Sequence, residues 1–327
     1  MIRCEAAVVH RERLPDAARH LGWVGSTAFA GCDDGSVVIV GADRASRRVL
    51  HRLSGPVTAF AVGHDRLAVG AIDGSAAVIG RAGTEVGFDL GSTVWGAGTI
   101  GDRCAFVVGT DVVIARGAAH EAIPLGLGSL TSVTQVTGSL AMVGGVRGVA
   151  WLDVGLAARD GWIELPTIVS LGADPRHRFV AAGDLGGSIH IVRSGSQEAT
   201  ELSGYPDRVE LLGWLASGGA LCATADDELT IWAATGDGLD QPEPTRLVGH
   251  DHPITSLSTS PTSDLVATGD AAGHICIWSP LDVDSPVARM RGDGVVLSLA
   301  WSGTGRELLI STSLGEVLRY VVTPPTA

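Results

Sequence analysis

Lysine is missing from this chain, and all 23 basic residues are arginine. That removes a Schiff-base amine and the lysine of a phosphate-binding loop. Acidic residues number 36, so the net charge is −13. Nucleic-acid binding needs a basic surface to displace condensed counterions, and this balance disfavours it. Cysteines are few: five, at positions 4, 32, 104, 222 and 276, with no C-x-x-C pair. An odd and scattered set argues against a disulfide framework or a zinc site, and it fits a reducing compartment. Long apolar runs are also lacking. Nothing approaches the ~20 apolar residues of a membrane-spanning helix. The opening MIRCEAAVVHRER offers only AAVV as an apolar core, too short for a signal peptide. The expectation is a soluble cytoplasmic protein with no membrane partner.

Large aromatics are scarce too, with five phenylalanines and two tyrosines against 45 glycines. The longest helix-like stretch, LDVGLAARD at 152–160, is brief. Many turns joining small-residue strands read as an all-β protein. Hydrophobic residues make up 45% of 327, enough for a sizeable core.

What the chain does have is a repeated unit. A tight turn precedes a short strand-like run in CDDGSVVIV (32–40), AIDGSAAVI (71–79), DLGGSIHIV (184–192) and DAAGHICIW (270–278). The marker residue of that turn falls at Gly35, Gly74, Asp111, Gly148, Gly187, Asp227, Gly273 and Gly315. The intervals are 39, 37, 37, 39, 40, 46 and 42 residues. Each interval also holds an earlier run, such as VTAFAVG (57–63) or ITSLSTS (254–260), and a later one, such as EVGFDL (85–90). Four antiparallel strands in such a short unit form a sheet that cannot cover its own two apolar faces. Packing the sheets face to face covers them and makes a β-propeller.

Eight blades follow from eight markers, and seven with an irregular insertion is the alternative. The expected boundaries are 13–54, 55–91, 92–127, 128–166, 167–205, 206–248, 249–292 and 293–323, in a single domain with a tail at 324–327. The last unit lacks an outer strand, whereas the first has a spare run ahead of it, RCEAAVVHRE at 3–12. Residues 1–12 are therefore expected to close the ring.

The segments GHDHPITSLSTSP and LVATGDAAGHICIWS, within 249–279, resemble the WD-repeat family. In that family a hydrogen-bonded His, Ser/Thr, Asp and Trp pin a blade. The resemblance carries this role to His250, Thr268 and Trp278, with Ala272 where the aspartate is expected and Ser279 in place of the Asp after the Trp. The sixth unit matches at Trp232 and Asp226 but has Cys222 at the hydroxyl position. The first two units match only at Asp34 and Asp73, with Val40 and Ile79 in place of tryptophan. By period the resemblance covers nearly the whole chain, and by motif 206–280.

Other chemical signals are weak. GAGTIG at 96–101 fits a dinucleotide fingerprint, but the run after it reads as a strand and not as the required helix, so no cofactor is expected. HDH at 250–252 places two imidazoles on one strand face without a third ligand, so no metal is expected. No G-x-S-x-G elbow is present. Trp23, Trp214 and Trp301 share one position in their units and read as core between blades.

The expected function is a non-catalytic scaffold that captures a protein or peptide. An enzyme or small-ligand binder using residues that converge at the centre is the alternative, and a purely structural subunit is a third reading. In a propeller the marked turns share a rim with the loops leading into each innermost strand. On blades two to five these loops carry little charge: SGPV (54–57), GSTV (91–94), GSL (128–130) and PTI (166–168). Elsewhere they contribute Asp16, Asp207, Asp251 and Asp293, with Tyr205, Arg208 and His252 beside them and Asp33 and Asp227 from the turns. Clustered carboxylates of this kind would steer a basic segment, with Tyr205 as an aromatic anchor.

Overall fold

The computed structural model describes residues 4–41, 48–80, 83–235, 238–239, 243–280 and 285–323. Residues 1–3 and the expected tail 324–327 lie outside the described residues. Every regular element among the described residues is a strand, and the strands form eight antiparallel sheets in chain order. This is an eight-bladed β-propeller. Blade two is representative: Val57–Val62, Arg66–Ala71, Ser75–Gly80 and Gly83–Asp89, each paired with the next. Blade six adds a short fifth strand, Gly238–Leu239, at the end of its third.

The strands alternate small and β-branched side chains, and the two middle strands of each blade are nearly all buried, as in FVAAGD (179–184). Such runs bury both faces of a blade against its neighbours. Five of the marked turns are three-residue loops ending in a glycine with positive φ, for example Gly35 at 79° and Gly273 at 88°. Two turns differ from the expected marker. In blade three the left-handed residue is Gly109, not Asp111, and in blade six it is Asp226, at φ 57°, not Asp227. Both are two-residue turns, as is that of blade four, where the positive φ stays at Gly148, at 115°.

The last blade is built from Val296–Trp301, Glu307–Thr312 and Glu316–Thr323, and its outer strand is Glu5–Arg13. The pairing runs from Glu5 opposite Thr323 to Arg13 opposite Glu316, with one bulge between Val8 and His10. The N-terminal strand therefore completes the eighth blade. None of the five cysteines is in a disulfide, and all are buried. Burial pushes the Cys104 and Cys276 thiols up to about 11.

The chain divides into two compact units, one of Met1–Cys32, Ile39–Arg48 and Leu211–Ala327, the other of Asp33–Val38 and Val49–Glu210. Each has its own cores. The first unit buries Ile277, Val296, Trp301, Ile310 and Leu318 together. The second buries Ile100, Leu127, Val143 and Leu152 in one cluster and Met142, Trp151, Ile168 and Val180 in another. In the first unit Trp23 and Trp301 donate their indole N–H to Ala300 O and Ser258 O of the preceding blades, each at 3.1 Å. A buried indole with its N–H satisfied links two blades at little polar cost.

Candidate functional site

In the first unit the turns and the entry loops are threaded into one edge by backbone hydrogen bonds. Ile254 N donates to Asp226 O (2.8 Å), Ala271 N to Pro253 O (3.0 Å) and Gly292 N to Gly273 O (2.9 Å). Ser313 N then donates to Val295 O (2.9 Å) and Leu14 N to Gly315 O (2.8 Å). The packing is close enough to require glycine at 273, where a Cβ would lie 2.7 Å from Gly294 O and also overlap Gly292 O. Asp227, Asp251, His252, Asp293 and Asp16 all sit on this edge. Asp16, Asp251, His252 and Asp293 are exposed, and Asp227 is half-buried.

Asp293 has a partner on the chain itself. Arg11, from the closing strand, bonds Asp293 Oδ2 at 2.8 Å and also pairs with the buried carboxylate of Glu316. Glu316 Oε2 in turn accepts the N–H of Asp293 at 2.9 Å. Asp16 Oδ1 accepts the N–H of Ala17 at 2.8 Å. The edge is therefore acidic with an arginine in it. Arg11 and Glu316 carry no sequence signal for this edge, because they reach it from the first and last strands of the chain.

Behind the edge lies a buried polar network in blade seven. Trp278 Nε1–H donates to Thr268 Oγ1 (2.7 Å), Thr268 lies 2.7 Å from His250 Nε2, and His250 Nδ1 lies 2.9 Å from Asp270 Oδ2. The carboxylate can only accept, so Nδ1 carries the proton and Nε2 accepts the Thr268 hydroxyl. Asp270 also receives the backbone N–H groups of Ala272 (2.9 Å) and His274 (2.8 Å) on Oδ1 and the His274 ring Nδ1–H (3.1 Å) on Oδ2. The His274 ring, 37% exposed, lies nearly parallel to that of exposed His252, with centroids 6.4 Å apart.

The aspartate of this network corrects the sequence expectation. The turn position is Ala272, as read, but the carboxylate comes from Asp270 two residues earlier, at the end of the second strand. Blade five repeats the device. Asp184, also three residues before the turn glycine, accepts Gly186 N and Ser188 N (2.8 Å each) and bonds His190 Nε2 at 2.9 Å. Here the imidazole comes from the third strand and not from the entry loop. The shared offset, Asp three before Gly, was the available signal.

The other motif residues serve their own turns. Asp34 Oδ1 accepts Ser36 N (3.0 Å), and Arg52 bonds Asp34 Oδ2 at 2.8 Å. Asp73 Oδ1 accepts Ser75 N (3.1 Å) and Ser75 Oγ (2.6 Å). These are Asx turns, which replace a backbone hydrogen bond with a carboxylate. Asp226 is exposed and contributes its left-handed backbone and its carbonyl, while Trp232 is 3% exposed.

In the second unit the corresponding edge is threaded in the same way, ending with Tyr205 N on Gly187 O (3.2 Å) and Val209 N on Asp184 O (3.0 Å). This places half-buried Tyr205 and exposed Asp207 and Arg208 on that unit's edge. Asp207 Oδ1 caps Arg208 N at 2.7 Å, and the Arg208 guanidinium pairs with Glu210 at 2.9 Å. Asp33 lies in the first turn, half-buried.

Burial holds His250 below the usual histidine range, and burial does the same to His51. For Asp270 burial pushes upward, but the hydrogen bonds from His250, His274 and Ala272 outweigh it and the carboxyl is lowered. Below the ordinary histidine pKa of ~6.5 the unfolded chain binds protons that folded His250 and His51 refuse, so stability falls as pH drops. The Asp270 contribution is present above the ordinary carboxyl range and is lost in a second stage, as pH falls through its lowered folded value. Melting temperature should therefore be level above pH ~7, decline from ~6.5 and fall again below ~4. A level profile down to pH ~5 would contradict the neutral imidazole assigned to His250.

Among known proteins, residues 242–279 match the model of the family described as WD domain, G-beta repeat. The crystal structure of the computationally designed Ika8 protein superposes with a TM-score of 0.78 at 17% identity, covering 95% of this chain and 98% of that one. No curated protein matches the chain in sequence. The matched residues include the whole His250 network, His250, Thr268, Asp270 and Trp278. Together with the eight-bladed fold, it fits a WD-repeat β-propeller.

Proposed function

We propose that the chain is a non-catalytic interaction scaffold that captures a protein or peptide bearing a basic segment. The observation that carries this reading is the backbone-locked edge of the first unit, which holds Asp16, Asp227, Asp251 and His252 on loops fixed by their neighbours. Preset loops lose little entropy on binding, and exposed carboxylates speed the approach of a positive partner. Tyr205 and Asp207 extend the proposal to the edge of the second unit.

The test is to recover the stoichiometric partner from the protein's own cell and measure its affinity for Asp16→Arg, Asp207→Arg and Asp251→Arg combined. Asp293 is left alone because its reversal would also strip Arg11 of a partner. Affinity should fall at least ~10-fold and circular dichroism should not change. Binding of the unaltered protein should weaken between ~50 and ~300 mM salt. Capture that survives the triple reversal would put the interface elsewhere.

A further inference from the structure

Within the second unit one residue at a repeated position of the innermost strands stands out by its exposure. The innermost strands Val57–Val62, Val94–Ile100, Leu130–Thr137 and Ile168–Ala173 each skip a residue of register directly after their first. The skipped residues are Thr58, Trp95, Thr131 and Val169. A bulge leaves its residue out of the ladder and re-aims the side chain. Thr58 and Thr131 use that position to tie blades together, donating to Val94 O and Ile168 O at 2.7 Å each. In the first unit Thr255 does the same to Val296 O at 2.6 Å. Val169 and Trp95 have no hydroxyl to make such a tie, and Val169 is half-buried. Trp95 is instead 57% exposed, and the other seven tryptophans are buried or half-buried.

The loops on the edge that carries Trp95 are short of charge and hold other exposed apolar residues. Thr93 Oγ1 donates to Ile72 O at 2.6 Å, which brings the exposed Ile72 beside the segment leading to Trp95. Further along the same edge Val146 and Leu185 are exposed, and Thr167 links them, donating to Val146 O at 3.3 Å and accepting Leu185 N at 2.8 Å. The entry loops at 54–57, 91–94, 128–130 and 166–168 hold no charged residue. The charges at the adjacent turns are engaged: Asp73 by Ser75, Asp111 by the Thr110 hydroxyl at 3.2 Å, and Arg147 by the face of Trp162, 5.4 Å away. The N–H groups of Ile72, Val146 and Leu185 are already donated to loop carbonyls. Those donors are not open to an added strand, so binding here must come from side chains.

We infer that this edge docks an uncharged, apolar peptide segment of a partner protein, with an apolar or aromatic side chain set against the Trp95 indole. Exposed apolar side chains clustered on one edge mark interaction surfaces, and tryptophan is enriched among the residues that dominate binding energy. A charged segment would find no counter-charge in these loops and would lose hydration without return. The inference is separate from the basic-segment proposal, because it rests on Trp95 and the uncharged loops and calls for the opposite chemistry.

The test pans a displayed library of random peptides against the full chain and measures the enriched peptides on purified variants. Trp95→Thr restores the residue found at the bulges of Thr58 and Thr131, so it should melt at or above the temperature of the unaltered protein. Enriched peptides should be uncharged and apolar, and should bind Trp95→Thr at least ~10-fold more weakly. Trp95→Phe should retain most of the affinity, and Asp251→Arg all of it. Affinity should change less than ~2-fold between ~50 and ~500 mM salt. Three results would overturn the inference: no enrichment, undiminished binding to Trp95→Thr, or basic peptides whose binding falls with rising salt. Loss on Asp251→Arg with Trp95→Thr intact would locate binding on the acidic edge of the first unit instead.

Discussion

Deleting residues 1–12 is expected to give a protein that aggregates on expression or melts more than ~10 °C lower. The strand Glu5–Arg13 is the outer strand of the eighth blade, so the deletion removes all of it but Arg13 and bares the ladder side of Glu316–Thr323 from Val317 onward. An unpaired, flat strand edge is a template for pairing with another chain. The deletion also removes Cys4, which packs in the core with Val287, Tyr320 and Val322 and donates its N–H to Val287 O at 3.0 Å. Buried Glu316 would lose Arg11 as well. Stranding a buried charge costs about 3–5 kcal/mol, a large share of an ordinary domain's stability. Size-exclusion chromatography and thermal melting check this, and adding residues 1–13 back as a peptide should restore part of the stability. A truncated chain that melts within ~2 °C of the full one would refute the closing role of this strand.

Replacing Asp270 by alanine is the point substitution with the largest expected effect. One carboxylate accepts from two imidazoles and two backbone N–H groups, and its side chain is fully buried. Removing it leaves those donors facing a void, and the His250 ring loses the acceptor that fixes its tautomer. A loss of about 3–5 kcal/mol is expected, as for breaking a buried pair, with a melting temperature lower by ~5 °C or more. Asp270→Asn should lose nearly as much, since it sets an amide against the same donors. Asp251→Ala, on the exposed part of the edge, should stay within ~0.5 kcal/mol. Equal melting temperatures for the Asp270 and Asp251 variants would overturn the assignment of Asp270 as the shared acceptor.

The architecture could be read from the letters because each blade solves the same local problem. A hairpin turn must sit between two buried strands, and its glycine or aspartate recurs wherever that geometry recurs, from Gly35 to Gly315. The spare N-terminal run and the missing last strand were visible for the same reason, as a count of strands per unit. His250, Thr268 and Trp278 were also marked in advance by the family's letters. Their partner Asp270 was not. The letters locate a carboxylate along the chain, whereas the network needs one that meets an imidazole 20 residues away, and that is set by how the entry loop packs on the turn. Asp293 likewise reads as an open carboxylate until Arg11, 282 residues distant, is brought against it by the closing strand. Trp95 looks in sequence like any core aromatic. By itself the sequence determined the period, the strand count and the hairpin turns, because these depend on contacts between near neighbours along the chain. Which side chains face one another, and which are left facing solvent, was decided only when blades and loops packed, because those contacts join residues that the chain keeps far apart.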